Sequence, residues 1–147
     1  MTTGNINTVR CTFLRDPNER QTLQIMEHSQ AQGWWQTGDD SRERLISRLI
    51  AGSHCFVIAT DEMNIVGMGR AISDGVSDAY IQDLTVLLDR RRQGIGNMIL
   101  QTLLERLHSD GIVWIGLIAE PGSDALYRQA GFREMPSSIP MVMINKQ

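Results

Sequence analysis

The sequence is poor in several residue types, and each scarcity narrows what the chain can be. It has two isolated cysteines, Cys11 and Cys55, and no Cys/His cluster with metal-ligand spacing, so we expect neither a disulfide scaffold nor a metal site. No apolar run approaches the roughly 20 residues that cross a bilayer. The net charge of -3 disfavours a nucleic-acid-binding protein. We therefore expect no metal, membrane or nucleic-acid partner.

The N-terminal residues and the two cysteines also indicate the cellular compartment in which we expect the protein. Residues 1–5 lack the basic start and the apolar stretch of a secretory signal. Both cysteines lie in apolar, strand-like segments, which favours buried free thiols over a disulfide and fits a reducing cytoplasm. Three histidines, His28, His54 and His108, show no partner pattern, and we expect them at the surface or at helix ends.

What is present fits one globular domain covering residues 1–147, with 41% apolar residues. The apolar periodicity predicts the order β-α-α-β-β-β-α-β-α-β. The expected strands cover residues 9–14, 55–60, 65–73, 79–88, 112–118 and 140–145, with the fifth buried on both faces. The expected helices begin near residues 16, 41, 94 and 123, and the second has Leu45, Ile46, Leu49 and Ile50 on one face. This pattern predicts an α/β (α+β) fold with a central mixed sheet flanked by helices.

The most specific local pattern covers residues 84–96, where an apolar strand runs into Arg90, Arg91 and Arg92 and then into Gly94 and Gly96. The first turn of the following helix leaves backbone N–H groups unpaired at the positive end of the helix dipole. Glycines let a ligand approach this backbone closely, so the segment predicts an anion site suited to a pyrophosphate. A basic turn whose glycines only permit a tight bend remains the alternative.

Other phosphate-binding loops do not fit this segment. A Walker loop needs Lys and Ser/Thr after its glycine, but Gly96 is followed by Asn97 and Met98. The dinucleotide fingerprint needs a third glycine or alanine where this sequence has Ile99.

The turn Arg91-x-x-Gly94-x-Gly96 and the segment Ala125-Leu126-Tyr127-x-x-x-Gly131-Phe132 together resemble the GNAT superfamily of N-acetyltransferases, over residues 55–133. The resemblance implies that acetyl-CoA binds with its pyrophosphate on the turn and its pantetheine arm along the preceding strand. The implied coenzyme residues are Leu84, Thr85, Val86, Arg91, Arg92, Gln93, Gly94, Ile95, Gly96, Asn97 and Tyr127. Two positions depart from the family, which often has proline in place of Leu88 and asparagine in place of Gly122.

The resemblance also implies the catalytic groups for moving the acetyl group to a primary amine. The Leu84 N–H would stabilise the oxyanion, and Tyr127 would protonate the leaving thiolate, although Tyr127 could serve only in packing. Asp83 could take the amine proton or attract a cation, or it could lie on a solvated face; Glu120 is a second candidate base. No nucleophile elbow is present, which favours direct attack in a ternary complex.

For the acceptor, the resemblance indicates the loop with Trp34 and Trp35, together with Gln82 on the strand. The loop could instead supply one core tryptophan and the acidic helix caps. A small-molecule amine is the first hypothesis for the acceptor, and a protein N-terminus or lysine is the second. A non-catalytic acetyl-CoA or acyl-CoA sensor is a further alternative, and fold comparison suggests a homodimer.

Overall fold

The computed structural model describes residues 8–34 and 42–145. The chain divides into two compact units, Met1–Leu117 and Ile118–Gln147. The strands of the first unit are β1 (Val9–Phe13), β2 (Cys55–Asp61), β3 (Asn64–Ser73), β4 (Asp78–Val86) and β5 (Trp114–Gly116). Its helices are α1 (Glu19–Ala31), α2 (Arg42–Gly52), α3 (Ile95–Ser109) and a short 3-10 turn at Leu88–Arg90; the second unit holds α4 (Asp124–Gln129).

The five strands form one mixed sheet in the order β1-β2-β3-β4-β5. The first four strands are antiparallel, whereas β5 lies parallel to β4. The crossover between β4 and β5 runs through α3, as parallel neighbours require. The expected mixed sheet flanked by helices is therefore confirmed.

Side chains alternate between the two faces of the sheet and so divide the core in two. On one face, Phe56, Ile58 and Met68 of the sheet join Ile25 of α1 and Ile46 of α2 in a buried cluster. On the other face, α3 buries an apolar stripe of Ile95, Ile99, Leu100, Leu103, Leu104 and Leu107. The stripe spacing matches the helical period, which explains why α3 was predictable.

Local sequence signals set the start of α1. Asn18 caps the helix by accepting a hydrogen bond from the Gln21 N–H at 2.8 Å, and the Gln21 side chain accepts from the Asn18 N–H at 2.9 Å. This reciprocal capping box satisfies two of the backbone donors left open at a helix start. The caps proposed for α2 at positions 39–41 lie outside the described residues.

Three expectations about elements were wrong. Residues 140–145, all of which the structure describes, were expected to form a strand. They pair with no described strand, and their apolar side chains are exposed. The strand expected over residues 112–118 is reduced to Trp114–Gly116, and Val113 and Ile118 are 85% and 76% exposed. Leu45 was expected on the buried face of α2 but is 44% exposed. Apolar composition alone does not create a pairing partner, and it does not decide which helical residue reaches the core.

The histidines were expected at the surface or at helix ends; His108 is exposed in the last turn of α3 as expected, whereas His28 differs. His28 is buried, and its Nε2 lies 2.9 Å from the Ile65 carbonyl oxygen. Burial lowers the pKa of His28 despite that hydrogen bond. His54 forms a 2.7 Å contact with Asp110. Both histidines therefore connect elements that are distant in sequence.

The two cysteines are free; Cys55 is buried and Cys11 is partly buried. No helix among the described residues is long and apolar enough to cross a membrane.

Candidate active site

A bulge interrupts β4 at the residues expected to hold the acetyl group. Met68 pairs with Thr85 and Arg70 pairs with Gln82, so Asp83 and Leu84 both lie opposite Gly69. Asp83 adopts a left-handed conformation with φ 57°, which costs a non-glycine residue of order 1 kcal/mol. Because two residues oppose one, the hydrogen-bond ladder is broken at this point and the backbone is free for a ligand.

The edge of β4 beyond the bulge is open on the side away from β3. In the described residues, β5 pairs with β4 only at Asp78, Ala79 and Tyr80. The Leu87 N–H donates to the Val66 carbonyl oxygen on β3 at 2.9 Å, so the neighbouring Val86 N–H points the other way. An extended amide chain can therefore pair with β4 along Leu84–Val86, as expected for a pantetheine arm.

The turn after β4 presents backbone N–H groups at the start of α3. Arg92 and Gly94 both have positive φ, at 61° and 83°, and such alternation turns successive N–H groups into one concavity that suits an anion. Gly94 is the N-cap of the 15-residue α3, and no side chain caps it. The first turn of α3 contains no acidic residue, so the helix dipole is left to favour a phosphate.

The arginine run before this turn does not supply three free cations. Arg90 donates to Asp61 at 2.8 Å and to the Gln93 side chain at 3.3 Å, and its side chain is only 12% exposed. Hydrogen bonds from Thr8 and Arg90 lower the pKa of Asp61. Arg90 therefore ties the turn to the β2–β3 hairpin, and Gln93 is held through its side chain.

Arg91 and Arg92 are the exposed members of the run. The Arg91 Nε donates to the Val86 carbonyl oxygen at 3.1 Å, which brings the guanidinium to the open edge of β4. Arg91 and Val86, both expected in the coenzyme site, are thus in direct contact.

Two glycines of β3 that were not singled out in the sequence let α3 pack closely against β3, next to β4. A Cβ added to Gly67 would lie 2.8 Å from Ile99 Cδ1 and 3.0 Å from the Thr85 carbonyl oxygen. A Cβ added to Gly69 would lie 2.9 Å from both Ile99 and Leu84. Glycine at alternate positions of a strand was the available signal, since it marks a close approach by another element.

A cavity of about 120 Å³ lies on the α1/α2 face of the sheet, next to the bulge. Its apolar wall consists of Ile25, Trp34, Ile46, Leu49, Phe56 and Met68. Three polar residues, Ser29, Arg70 and Asp83, complete the lining. The structure thus brings Trp34 and Asp83 to one cavity; Trp35 lies outside the described residues.

Arg70 is a functional candidate that sequence reading did not identify. Its Nε donates to Asp83 Oδ2 at 2.5 Å, and its other nitrogens approach Ser53 and Gln82 at 3.4 Å. Asp83 is therefore not simply solvated, and Gln82 is linked to it through Arg70. The available signal was a charged residue within an apolar strand, in alternation with Met68.

The second unit carries Tyr127 on α4. Its ring makes an edge-to-face contact with Phe132 at 5.9 Å between centroids. Burial, followed by the negative charge of Glu120, raises the pKa of Tyr127. The phenol therefore stays protonated at neutral pH, as a proton donor must.

The described residues fit coenzyme A on two structural grounds: the open edge of β4 and the N–H concavity before α3. Among those residues, no group of three or more His, Cys, Asp or Glu is placed to hold a metal ion. The mixed sheet with its flanking helices is a fold that the chain shares with solved structures named as acetyltransferases.

Comparison with known proteins gives the family. Residues 22–141 match the model of the acetyltransferase (GNAT) domain. The chain belongs to the GNAT acetyltransferase family. It is 39% identical over 83 residues to the GCN5-related N-acetyltransferase 1, chloroplastic, of Arabidopsis thaliana; the match covers 56% of this chain and 42% of that relative. The matched segment is thus less than half the length of that relative.

Solved structures share the fold. A probable acetyltransferase of unknown function from meticillin-resistant Staphylococcus aureus superposes with a TM-score of 0.76 at 22% identity, covering 93% of this chain and 99% of that one. The crystal structure of a predicted acetyltransferase with acetyl-CoA from Clostridium acetobutylicum gives 0.71 at 15% identity, covering 91% and 96%.

Proposed function

We propose that the chain is an N-acetyltransferase that moves the acetyl group of acetyl-CoA to the primary amine of a small molecule. The observation that carries this proposal is the continuity of the site. The open edge of β4 leads at one end into the N–H concavity before α3, and at the other end the bulge borders the apolar cavity. A coenzyme arm and an acceptor can thus meet at Asp83 and Leu84.

In this proposal the coenzyme residues act mainly through their backbone. The N–H groups of the turn from Arg91 to Asn97 would hold the pyrophosphate, and the edge of β4 at Leu84, Thr85 and Val86 would pair with the pantetheine arm. When bound, acetyl-CoA supplies an acetyl thioester. Holding the thioester and the amine together accounts for much of the rate, because it replaces a bimolecular encounter by an oriented one.

The proton transfers are assigned to Asp83 and Tyr127. The amine must be neutral to attack, and Asp83 would accept its proton directly or through a water molecule. Asp83 Oδ2 already accepts a hydrogen bond from Arg70. Among the described residues Asp83 Oδ1 has no hydrogen-bond partner, so Oδ1 is the atom that would accept the amine proton. As the amine nitrogen bonds to the acetyl carbon, the Leu84 N–H stabilises the oxyanion. The carbon–sulfur bond then breaks, Tyr127 would donate its proton to the sulfur, and the extra proton still carried by the acetylated nitrogen would pass through water to the tyrosinate.

A protein N-terminus or lysine is the less favoured acceptor, because the cavity beside Asp83 is small and apolar. A sensor that binds acetyl-CoA without transferring its acetyl group is the other alternative. It differs from the enzyme because it needs no proton donor at Tyr127. We propose that residues 1–147 form one catalytic domain that works in a reducing compartment such as the cytoplasm, because Cys11 and Cys55 are free thiols. A homodimer is the assembly that we propose.

A thiol-release assay with acetyl-CoA and a panel of primary amines tests the function. We expect amine-dependent release of coenzyme A, with the N-acetylated product identified by mass spectrometry. Release that does not depend on any amine, with acetyl-CoA still bound, would favour the sensor.

A further inference from the structure

The bulge decides on which face of the sheet Asp83 lies. A Cβ added to Gly69 would lie 2.9 Å from Leu84 Cδ1 and from a side chain of α3, so Gly69 and Leu84 both face α3. Ala71, two residues after Gly69, faces the same way and pairs with Ile81. Regular alternation from Ile81 would put Asp83 under α3 as well, but Asp83 lines the cavity on the opposite face. The extra residue of the bulge therefore turns the carboxylate away from the apolar packing under α3.

Arg70 is the residue that meets Asp83 on that opposite face. It follows Gly69 on β3, so its side chain points away from α3, and its Nε donates to Asp83 Oδ2 at 2.5 Å. The two side chains are only 14% and 26% exposed, so water screens this pair less than it screens a surface ion pair. A left-handed φ such as the 57° of Asp83 persists only where the surroundings hold it. The charge-assisted bond from Arg70 is a contact that does so.

Arg70 is itself held from the end of α2. Its Nη1 lies 3.4 Å from Ser53 Oγ, and the Ser53 hydroxyl donates to the Leu49 carbonyl oxygen at 2.7 Å. Because the hydroxyl hydrogen is used on Leu49, Ser53 can meet Arg70 only as an acceptor, which suits a guanidinium. Nη2 of Arg70 lies 3.4 Å from Gln82 Oε1. One guanidinium thus links the carboxylate of Asp83 to the last turn of α2.

We propose that Arg70 is a positioning residue of the acetyl transfer and that Ser53 holds Arg70 in place. The bond to Oδ2 fixes the direction of the Asp83 carboxylate and leaves Oδ1 for the amine proton. Arg70 acts only through Asp83 and touches neither the acetyl group nor the amine. This inference rests on the proposed function, in which Asp83 is the base. A misplacement of about 1 Å in a reacting group can cost about 100-fold in rate, so the loss of this hold is expected in kcat.

The first test compares Arg70→Met with Arg70→Lys in the thiol-release assay, with the primary amine that wild type acetylates fastest. Methionine keeps an apolar stem without a donor, whereas the lysine ammonium can still donate to Asp83 Oδ2. We expect Arg70→Met to lower kcat by about 10- to 100-fold with KM for acetyl-CoA nearly unchanged, and Arg70→Lys to recover most of that loss. A rise in KM for acetyl-CoA with a normal kcat, or an equal loss in both variants, would overturn the inference.

A double-mutant cycle shows whether Arg70 acts through Asp83. If it does, Arg70→Met has no base left to misplace once Asp83 is replaced. The double variant should then have the kcat of Asp83→Asn within about 2-fold. Two independent effects would multiply instead, and a multiplied loss would show that Arg70 supports the reaction by another route.

Ser53→Ala keeps the ion pair and tests the same arrangement if Arg70→Met does not fold. We expect it to lower kcat by about 3-fold, as the loss of one weak hydrogen bond does, and to have no effect on kcat in the Asp83→Asn background. Thr102→Val is the matched control, because the Thr102 hydroxyl also donates to the carbonyl oxygen four residues earlier, at 2.8 Å, but from α3 on the other face of the sheet. Its kcat should equal that of wild type. A Ser53→Ala enzyme as fast as Thr102→Val would exclude the role of Ser53.

The wild-type rate in the same assay separates this inference from the proposed function. If wild type acetylates no amine, the proposed function fails, and the positioning role fails with it. If wild type is active and the losses from Arg70→Met and Asp83→Asn multiply, the positioning role alone is refuted. An active wild type with a double variant no slower than Asp83→Asn supports both.

Discussion

Gly67→Ala tests how closely α3 packs against β3, next to the proposed coenzyme-binding edge of β4. The added Cβ would lie 2.8 Å from Ile99 Cδ1, 3.4 Å from Ile95 Cγ2 and 3.0 Å from the Thr85 carbonyl oxygen. The isoleucine side chains can rotate, but the Thr85 oxygen belongs to the backbone of β4 and moves only with the strand. Overpacking of this kind costs about 1–3 kcal/mol, and we expect the upper half of that range.

The same displacement reaches the site, because Thr85 and Ile95 both belong to the proposed coenzyme residues. We therefore expect Gly67→Ala to lower the free energy of unfolding in urea and to weaken acetyl-CoA binding in calorimetric titration. Gly52→Ala is the matched control, since no atom lies within 4 Å of its added Cβ, and its stability should be equal or higher. If Gly67→Ala is as stable as Gly52→Ala and binds acetyl-CoA equally well, the close approach of α3 to β3 at Gly67 is refuted.

Four further variants probe separate parts of the account. Tyr127→Phe should lower kcat by about 100-fold with little change in acetyl-CoA affinity, and an undiminished rate would exclude the acid role. Asp83→Asn should lower kcat by about 100-fold with little change in acetyl-CoA affinity; a kcat equal to that of wild type would show that Asp83 is not the base. Arg90→Met should weaken acetyl-CoA binding, because the turn loses its tie to the β2–β3 hairpin; wild-type affinity in titration would count against that positioning. His28 has a lowered pKa when folded, so its contribution to stability is full above its ordinary pKa of about 6.5 and falls as the pH drops below it. His28→Gln should therefore flatten the fall in unfolding free energy between about pH 7 and 5, and an unaltered slope in urea titrations would contradict this.

Local patterns were sufficient to predict most of the elements. The stripe on α3, the capping signal at Asn18 and the turn with Gly94 all depend on residues close together in sequence. These signals arise from helical period and backbone geometry, which short segments determine by themselves. The confirmed fold class follows from them.

The features that local patterns cannot specify depend on pairing between distant segments. The bulge exists because Asp83 and Leu84 share one position on β3, and nothing in β4 alone specifies that register. Arg70 meets Asp83 across the strand pair, and His28 meets Ile65 from another element. The segment at residues 140–145 shows the converse, since its apolar sequence favours a strand but no partner strand pairs with it among the described residues.

Calorimetric titration with acetyl-CoA, with ATP and NAD as controls, tests the central claim most directly. The account predicts saturable micromolar binding of acetyl-CoA and much weaker binding of both controls, because the edge of β4 pairs with a pantetheine arm that they lack. Absence of acetyl-CoA binding, or equal binding of all three ligands, would contradict the assignment of β4 and the turn before α3 as a coenzyme A site.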